Sequence, residues 1–168
     1  MIALTITDTK KMMQTLLYAA SFDQFSLQEV SANKDISLFL EGRIHEDFYT
    51  QEDRSNDPSL AAREFAPWGQ YRELIASFIK GDKAPLSFKF VLQAPYSYMQ
   101  KLLSSPEFTG DPDAVKALIL TFRYENETLT CLTGTAMRSF TLDKSLDTLW
   151  DQAIRKSLAN MQIGFDEM

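Results

Sequence analysis

The chain carries one histidine, His45, and one cysteine, Cys131. Brought together, they would make a thiolate–imidazole nucleophile, because the imidazole takes the thiol proton and the thiolate attacks. Cys131 lies in "TLTCLTGT", however, an apolar and threonine-rich run of the kind that buries an inert thiol. One histidine and one cysteine also fall short of the four ligands of a structural zinc site. Glu41, Glu46, Asp47, Glu52, Asp53 and Asp57 supply hard oxygens, but without the glycine turn and closing glutamate of a calcium loop. They read as a solvated acidic loop. The sequence has no Gly-x-Ser-x-Gly elbow, Walker loop, Gly-x-Gly-x-x-Gly, His-Glu-x-x-His or Cys-x-x-Cys. No catalytic residue, metal or cofactor is assigned.

What remains is charge recognition. Arg43 and Arg123, each near a glutamate (Glu41 and Glu125), could hold a small polar or anionic molecule. Tyr124 or Trp68 would form an apolar wall, and His45 stands close in sequence to Arg43. For this the arginines must lie on one face of a sheet. Alternation puts Glu29, Glu41, Arg43, His45, Lys89, Thr121, Arg123 and Glu125 on the side away from the apolar layer. Such a face is either an ordinary polar surface of an antiparallel sheet or a concave ligand site.

The positioning elements follow from periodicity. Ile2 to Ile6 reads as a strand, and Thr7 or Asp8 caps a helix with Met12, Met13, Leu16, Leu17 and Ala20 on one face. Two strands follow, Phe25 to Ala32 and Ile36 to His45, joined at Asn33-Lys34-Asp35. Glu46 to Ser59 is expected to be a long loop. A helix then runs from Pro67 to Lys80, stopped by Gly81. Leu86 to Gln93 alternates as a half-buried strand, and Pro95 opens a short helix with Met99, Leu102 and Leu103 inward. Ser104 to Asp113 is a loop. Ala117 to Glu125 and Thr128 to Arg138 form a hairpin across Asn126-Glu127. Asp143 caps a last helix with Leu146, Leu149, Trp150, Ala153, Ser157, Leu158 and Met161 in helical spacing.

The order strand, helix, strand, strand, helix thus occurs twice, in halves of about 1–82 and 83–168 of a single domain. "MQTLL" at Met13 and "MQKLL" at Met99 match at four of five positions, as chance allows. More telling, at the same spacing Leu4 falls on Phe90 and Ile6 on Leu92. With a short insertion Leu40 falls on Leu132, Gly42 on Gly134 and Phe48 on Phe140, and each half ends in a helix carrying Trp-x-Gln, at Trp68 and Trp150. The expected fold is α+β: duplicated β-α-β-β-α units in a mostly antiparallel sheet, with helices packed on one face.

Composition narrows the function classes. A net charge of −6 without any Lys/Arg cluster offers nothing to a polyanion, so no nucleic-acid partner is expected. A lone cysteine gives no intramolecular disulfide, and no apolar run approaches a membrane span or a secretory leader. The chain reads as cytoplasmic, without a membrane partner.

The stretches "IALTITDTKKMMQTLL", "KAPLSFKF", "RYENETLTCLTGT" and "FTLDKSLDTLWD" resemble a clostridial, hence bacterial, family catalogued as a domain of unknown function. The likeness runs along nearly the whole chain except Glu46 to Ser59, and implies no activity, cofactor or site. In architecture, the doubled strand-helix-strand-strand unit is similar to effector-binding domains related to gyrase inhibitory protein, which hold small molecules between pseudo-symmetric halves. Sliding DNA clamps also use duplicated units, but their basic channel has no counterpart here. The expected function is a non-enzymatic small-ligand or effector-binding module. The alternatives are a protein-interaction module without a ligand, and an enzyme of unknown reaction.

Overall fold

A computed structural model covers Met1–Met168. In β4 (Ser87–Gln93), Phe88, Phe90 and Leu92 are buried on one side, while Ser87, Lys89, Val91 and Gln93 face the other. The same alternation builds β1 (Ala3–Ile6), β2 (Ser26–Asn33), β3 (Ser37–Glu41), β5 (Val115–Glu125) and β6 (Thr128–Met137). A short β7 (Phe165–Glu167), too brief to show a sequence pattern, lies beside β1. All seven strands form one antiparallel sheet, ordered β3-β2-β4-β5-β6-β1-β7. The β5–β6 hairpin turns on Asn126 and Glu127, with φ of 51° and 60°. Two successive positive values are what a type I′ turn requires.

The helices are α1 (Thr9–Leu17), α2 (Gln51–Asn56), α3 (Trp68–Ile79), α4 (Tyr96–Leu103) and α5 (Ser145–Asn160). Asp8 caps α1, accepting from the Lys11 amide at 3.0 Å. Asp143 accepts from the Ser145 amide at 2.9 Å, so it caps α5 from one residue outside the usual position. The Ser145 hydroxyl, then the Thr109 hydroxyl and the Ser145 amide, hold its carboxyl below the usual range. No helix is long and apolar enough to cross a membrane.

Four helices press their apolar stripes onto one sheet face, making a single cluster of 28 buried residues. Both tryptophans are fully buried within it. Trp68 donates its indole N–H to the Leu16 carbonyl at 2.8 Å, and Trp150 to the Ile119 carbonyl at 2.9 Å. Leu16 is in the last turn of α1, where carbonyls lack intrahelical partners. Thr133 of β6 accepts from the Ile2 amide at 2.9 Å and donates to Asp151 of α5, tying β1, β6 and α5 together. The Met1 amine reaches the same carboxylate at 3.0 Å.

The expected long loop, Glu46 to Ser59, is instead largely helical: 3₁₀ turns at Glu46–Phe48 and Pro58–Ala62 flank α2. Local capping makes these turns, with no apolar periodicity to announce them. Thr50 and Asp53 form a reciprocal capping box, and Asp57 caps the Pro58 turn.

The second strand, expected to reach His45, ends at Glu41. The Gly42 amide still bonds the Gln28 carbonyl, but the Gly42 carbonyl and Ile44 amide pair with Ala66 and Glu64. Residues 64–67 thereby wedge between β2 and the departing chain. A Cβ on Gly42 would overlap the Leu27 carbonyl, so only glycine lets the two backbones approach this closely.

The element order does occur twice, β1-α1-β2-β3-α3 and β4-α4-β5-β6-α5, with α2 inserted in the first. The pairing does not repeat: β4 lies beside β5, whereas β1 lies beside β6 and not beside β2. Leu4 and Phe90 share the covered face. Leu40, however, pairs with Val30 on the covered face, while Leu132 pairs with Thr121 on the open one. The two hairpins are therefore out of phase, and the sheet lends the duplication no support beyond element order.

Gly42→Ala is expected to lower unfolding free energy by about 2–3 kcal/mol, since backbone must move to admit the methyl group. Urea denaturation measures this, and a loss below about 0.5 kcal/mol would show that the wedge relaxes freely.

Candidate functional site

The last turns of α5 carry Ile154, Ser157, Leu158 and Met161, which share one helix face at i, i+3, i+4 and i+7. Below them lie Leu120 and Phe122 of β5 and Cys131 of β6, with Phe122 directly opposite Cys131. Phe22 and Phe25, from the connection between α1 and β2, close one side. Pro95 and Tyr98, at the start of α4, close the other. Between them is a cavity of about 240 Å³ with thirteen lining residues, nine of them hydrophobic. Ser21, Gln24 and Ser157 add polar atoms to this lining.

Its walls are held rigidly. Phe22 meets Phe25 and Phe122 edge-on, at 5.2 and 5.7 Å between centroids. Tyr98 meets Trp150 edge-on at 5.8 Å. The Ser21–Phe25 segment is anchored from the start of α3. The Trp68 amide donates to the Phe25 carbonyl at 2.8 Å, and Arg72 Nε donates to Asp23 at 2.7 Å. Gly69 lies so close to Asp23 that a Cβ there would strike its side chain.

Two groups in the lining have perturbed acidity. Burial pushes the Cys131 thiol up to about 12, so it stays protonated and is a poor nucleophile at neutral pH. Burial also raises the Tyr98 hydroxyl, with no hydrogen bond opposing the shift. No buried side-chain nitrogen or oxygen is left unsatisfied anywhere, so that hydroxyl keeps access to solvent.

The residues singled out from the sequence fall elsewhere, six of the seven in two separate grooves. Glu41, Arg43 and His45 line a groove of about 440 Å³ beside the end of β3, with Phe48, Tyr49 and Tyr71. Arg43 is already paired with Glu64 at 3.0 Å and Glu41 at 3.8 Å, and its guanidinium lies 5.1 Å from the Phe65 ring. Arg123 sits on β5 beside Glu125 at 3.7 Å, and neighbouring Lys89 pairs with Glu29 at 3.0 Å. Across β5, β4, β2 and β3, Arg123 is in line with Phe39. Arg43 is thus about 14 Å away across the strands and about 13 Å further along them.

Tyr124 shares a shallow polar groove of about 250 Å³ with Arg123, Glu125 and Lys89, whereas Trp68 walls neither arginine. Tyr124 stacks on Phe88 at 5.2 Å on the covered face, and Trp68 is fully buried. Cys131 and His45 do not meet either. Their segments lie four strand positions apart, about 19 Å, with the thiol buried and the imidazole exposed.

The α5 stripe was legible as a buried helix face. The contribution of Ser21 to Phe25 was not, because a short connection without periodicity gives no sign of what it will cover. A protein family, DUF5721, described as a family of unknown function, matches residues 15–166. The chain belongs to it. Every residue lining the cavity of this DUF5721 chain falls inside the matched stretch. No curated protein and no solved structure matches the chain.

Cys131 is expected to be inert to an aromatic disulfide reagent at pH 8 and to react fully once urea unfolds the protein. Its pKa in the folded protein lies above that of a free thiol, which is near 8.5. The unfolded state therefore sheds its proton first, and stability falls as pH rises from about 9 towards 12. Labelling of the folded protein at the rate of a free thiol would show that the cavity floor opens.

Proposed function

We propose that the protein is a non-enzymatic binding module for one small, largely apolar molecule carrying a polar group, held between α4, α5, Ser21–Phe25 and the covered sheet face. The observation that carries this reading is the cavity itself. Native interiors pack densely, with few voids larger than a water molecule. A partly open, largely apolar cleft with a few polar groups is the ordinary form of a small-molecule site. A cavity of 150 Å³ already accepts benzene. About 240 Å³ suits a one- or two-ring aromatic or a short branched chain. The Tyr98 and Ser157 hydroxyls would meet its polar end. Selection would rest on shape, since no charged side chain lines the space.

This reading replaces recognition of an anion by Arg43 and Arg123, whose charges are met locally and lie far apart. The lone buried thiol of Cys131 needs no oxidising compartment, and a cytoplasmic setting goes with this proposal.

Indole and 1-naphthol serve as probes. Either is expected to raise the midpoint of thermal unfolding by about 5 °C at a hundredfold excess over its dissociation constant. Ser157→Phe, which fills the space from α5, should abolish the shift while unfolding stays cooperative. If neither probe binds, or if the filled variant responds as the native protein does, the cavity is not a ligand site.

A further inference from the structure

β3 is the outermost strand at one end of the sheet. Its even-numbered residues face β2: the Gly42 amide donates to Gln28, and the Ile36 carbonyl accepts from Lys34, both at 2.9 Å. By alternation, the N–H and C=O groups of Ser37, Phe39, Glu41 and Arg43 point outward, where no strand lies beside them. Soluble proteins blunt such edges with proline, lysine, a bulge, or brevity. The opposite edge obeys, because β7 has three residues, two of them acidic. "ISLFLE", Ile36 to Glu41, has no proline, lysine or bulge and a charge only at its last residue, and Ile36 and Phe39 are 66% and 68% exposed.

We propose that β3 pairs with β3 of a second copy of this chain, antiparallel about a twofold axis at Phe39, joining two sheets into one. Charge selects the register. Outward-pointing residues must oppose one another, which leaves axes at Leu38, Phe39 or Leu40. An axis at Leu38 brings Asp35 of the turn up to Glu41, two like charges. An axis at Leu40 sets Phe39 against Glu41 and leaves Arg43 facing Ser37. An axis at Phe39 sets Leu38 against Leu40 twice and the two phenyl rings against each other, and it brings Asp35, in the turn before β3, towards Arg43 just past the end of the partner's β3. It alone brings those opposite charges together at each end and matches apolar with apolar. Arg43 is half-exposed and has donors to spare for another carboxylate. This interface stands independently of the cavity.

Sedimentation equilibrium of the full chain is expected to show a monomer–dimer equilibrium. Phe39→Lys should raise its dissociation constant at least about tenfold without altering the unfolding curve, and Asp35→Lys should weaken it about fivefold or more. Directly opposed residues of a hydrogen-bonded pair lie about 5.5 Å apart at Cα, within disulfide reach. Phe39→Cys should therefore yield a disulfide-linked dimer on mild oxidation, and buried Cys131 will not compete. Leu40→Cys should yield none. A monomer at every accessible concentration overturns the proposal, whether or not its edge takes up an extended peptide. So does a dimer that survives Phe39→Lys, or cross-linking at position 40 in preference to 39.

Discussion

A buried indole must give its N–H to an acceptor, because an unmet donor in an apolar interior costs about 1–3 kcal/mol. Here both tryptophans meet that demand with main-chain carbonyls, and the arrangement of the helical layer follows. Trp68 at the start of α3 reaches the end of α1, which sets how those two helices cross. Trp150 in α5 reaches Ile119 of β5, which sets how deep that helix sits on the sheet. Each bond uses the single donor of its ring. The two helix pairs are thus docked at separate points. Between them lies the space lined by Phe22, Phe25, Tyr98 and Phe122.

The two faces of the sheet divide the physical chemistry between them. The covered face is aliphatic and aromatic, with one thiol and almost no charge. On the open face, charges are met by near neighbours: Lys89 by Glu29, Arg123 by Glu125, Arg43 by Glu41 and Glu64. These are exposed pairs, worth little in stability and readily screened. They leave no concentrated field to draw in a charged partner. Charge can select only at short range, and the rest of selectivity has to come from shape and from backbone geometry.

Much of the fold was legible in the residues because alternation and helical spacing report burial directly. Leu86 to Gln93 and the stripe from Leu146 to Met161 are the clearest cases. The breaks came where local chemistry, not periodicity, decides. Thr50, Asp53 and Asp57 make helical turns of a polar stretch through caps alone. Gly42 diverts a strand through a close backbone approach that no pattern of apolar residues records. The site was less legible still. Alternation identified correctly that Arg123 and Glu41 face outward, but not how many strands separate them, because strand order is a property of the whole chain. A cavity is defined by where side chains stop short, and a sequence lists only where they are.

The place of β1 has a consequence for the order of events during synthesis. Residues 3–5 pair with Thr130 to Leu132, so β1 waits for a strand made more than 120 residues later before it gains that neighbour. The β5–β6 hairpin, by contrast, closes across two residues and can form as soon as it emerges. Until then α1 has only a partial sheet on which to lay Met12, Leu16 and Leu17. The segment that carries β1 must therefore stay unpaired, and kept from other chains, until β6 has been made.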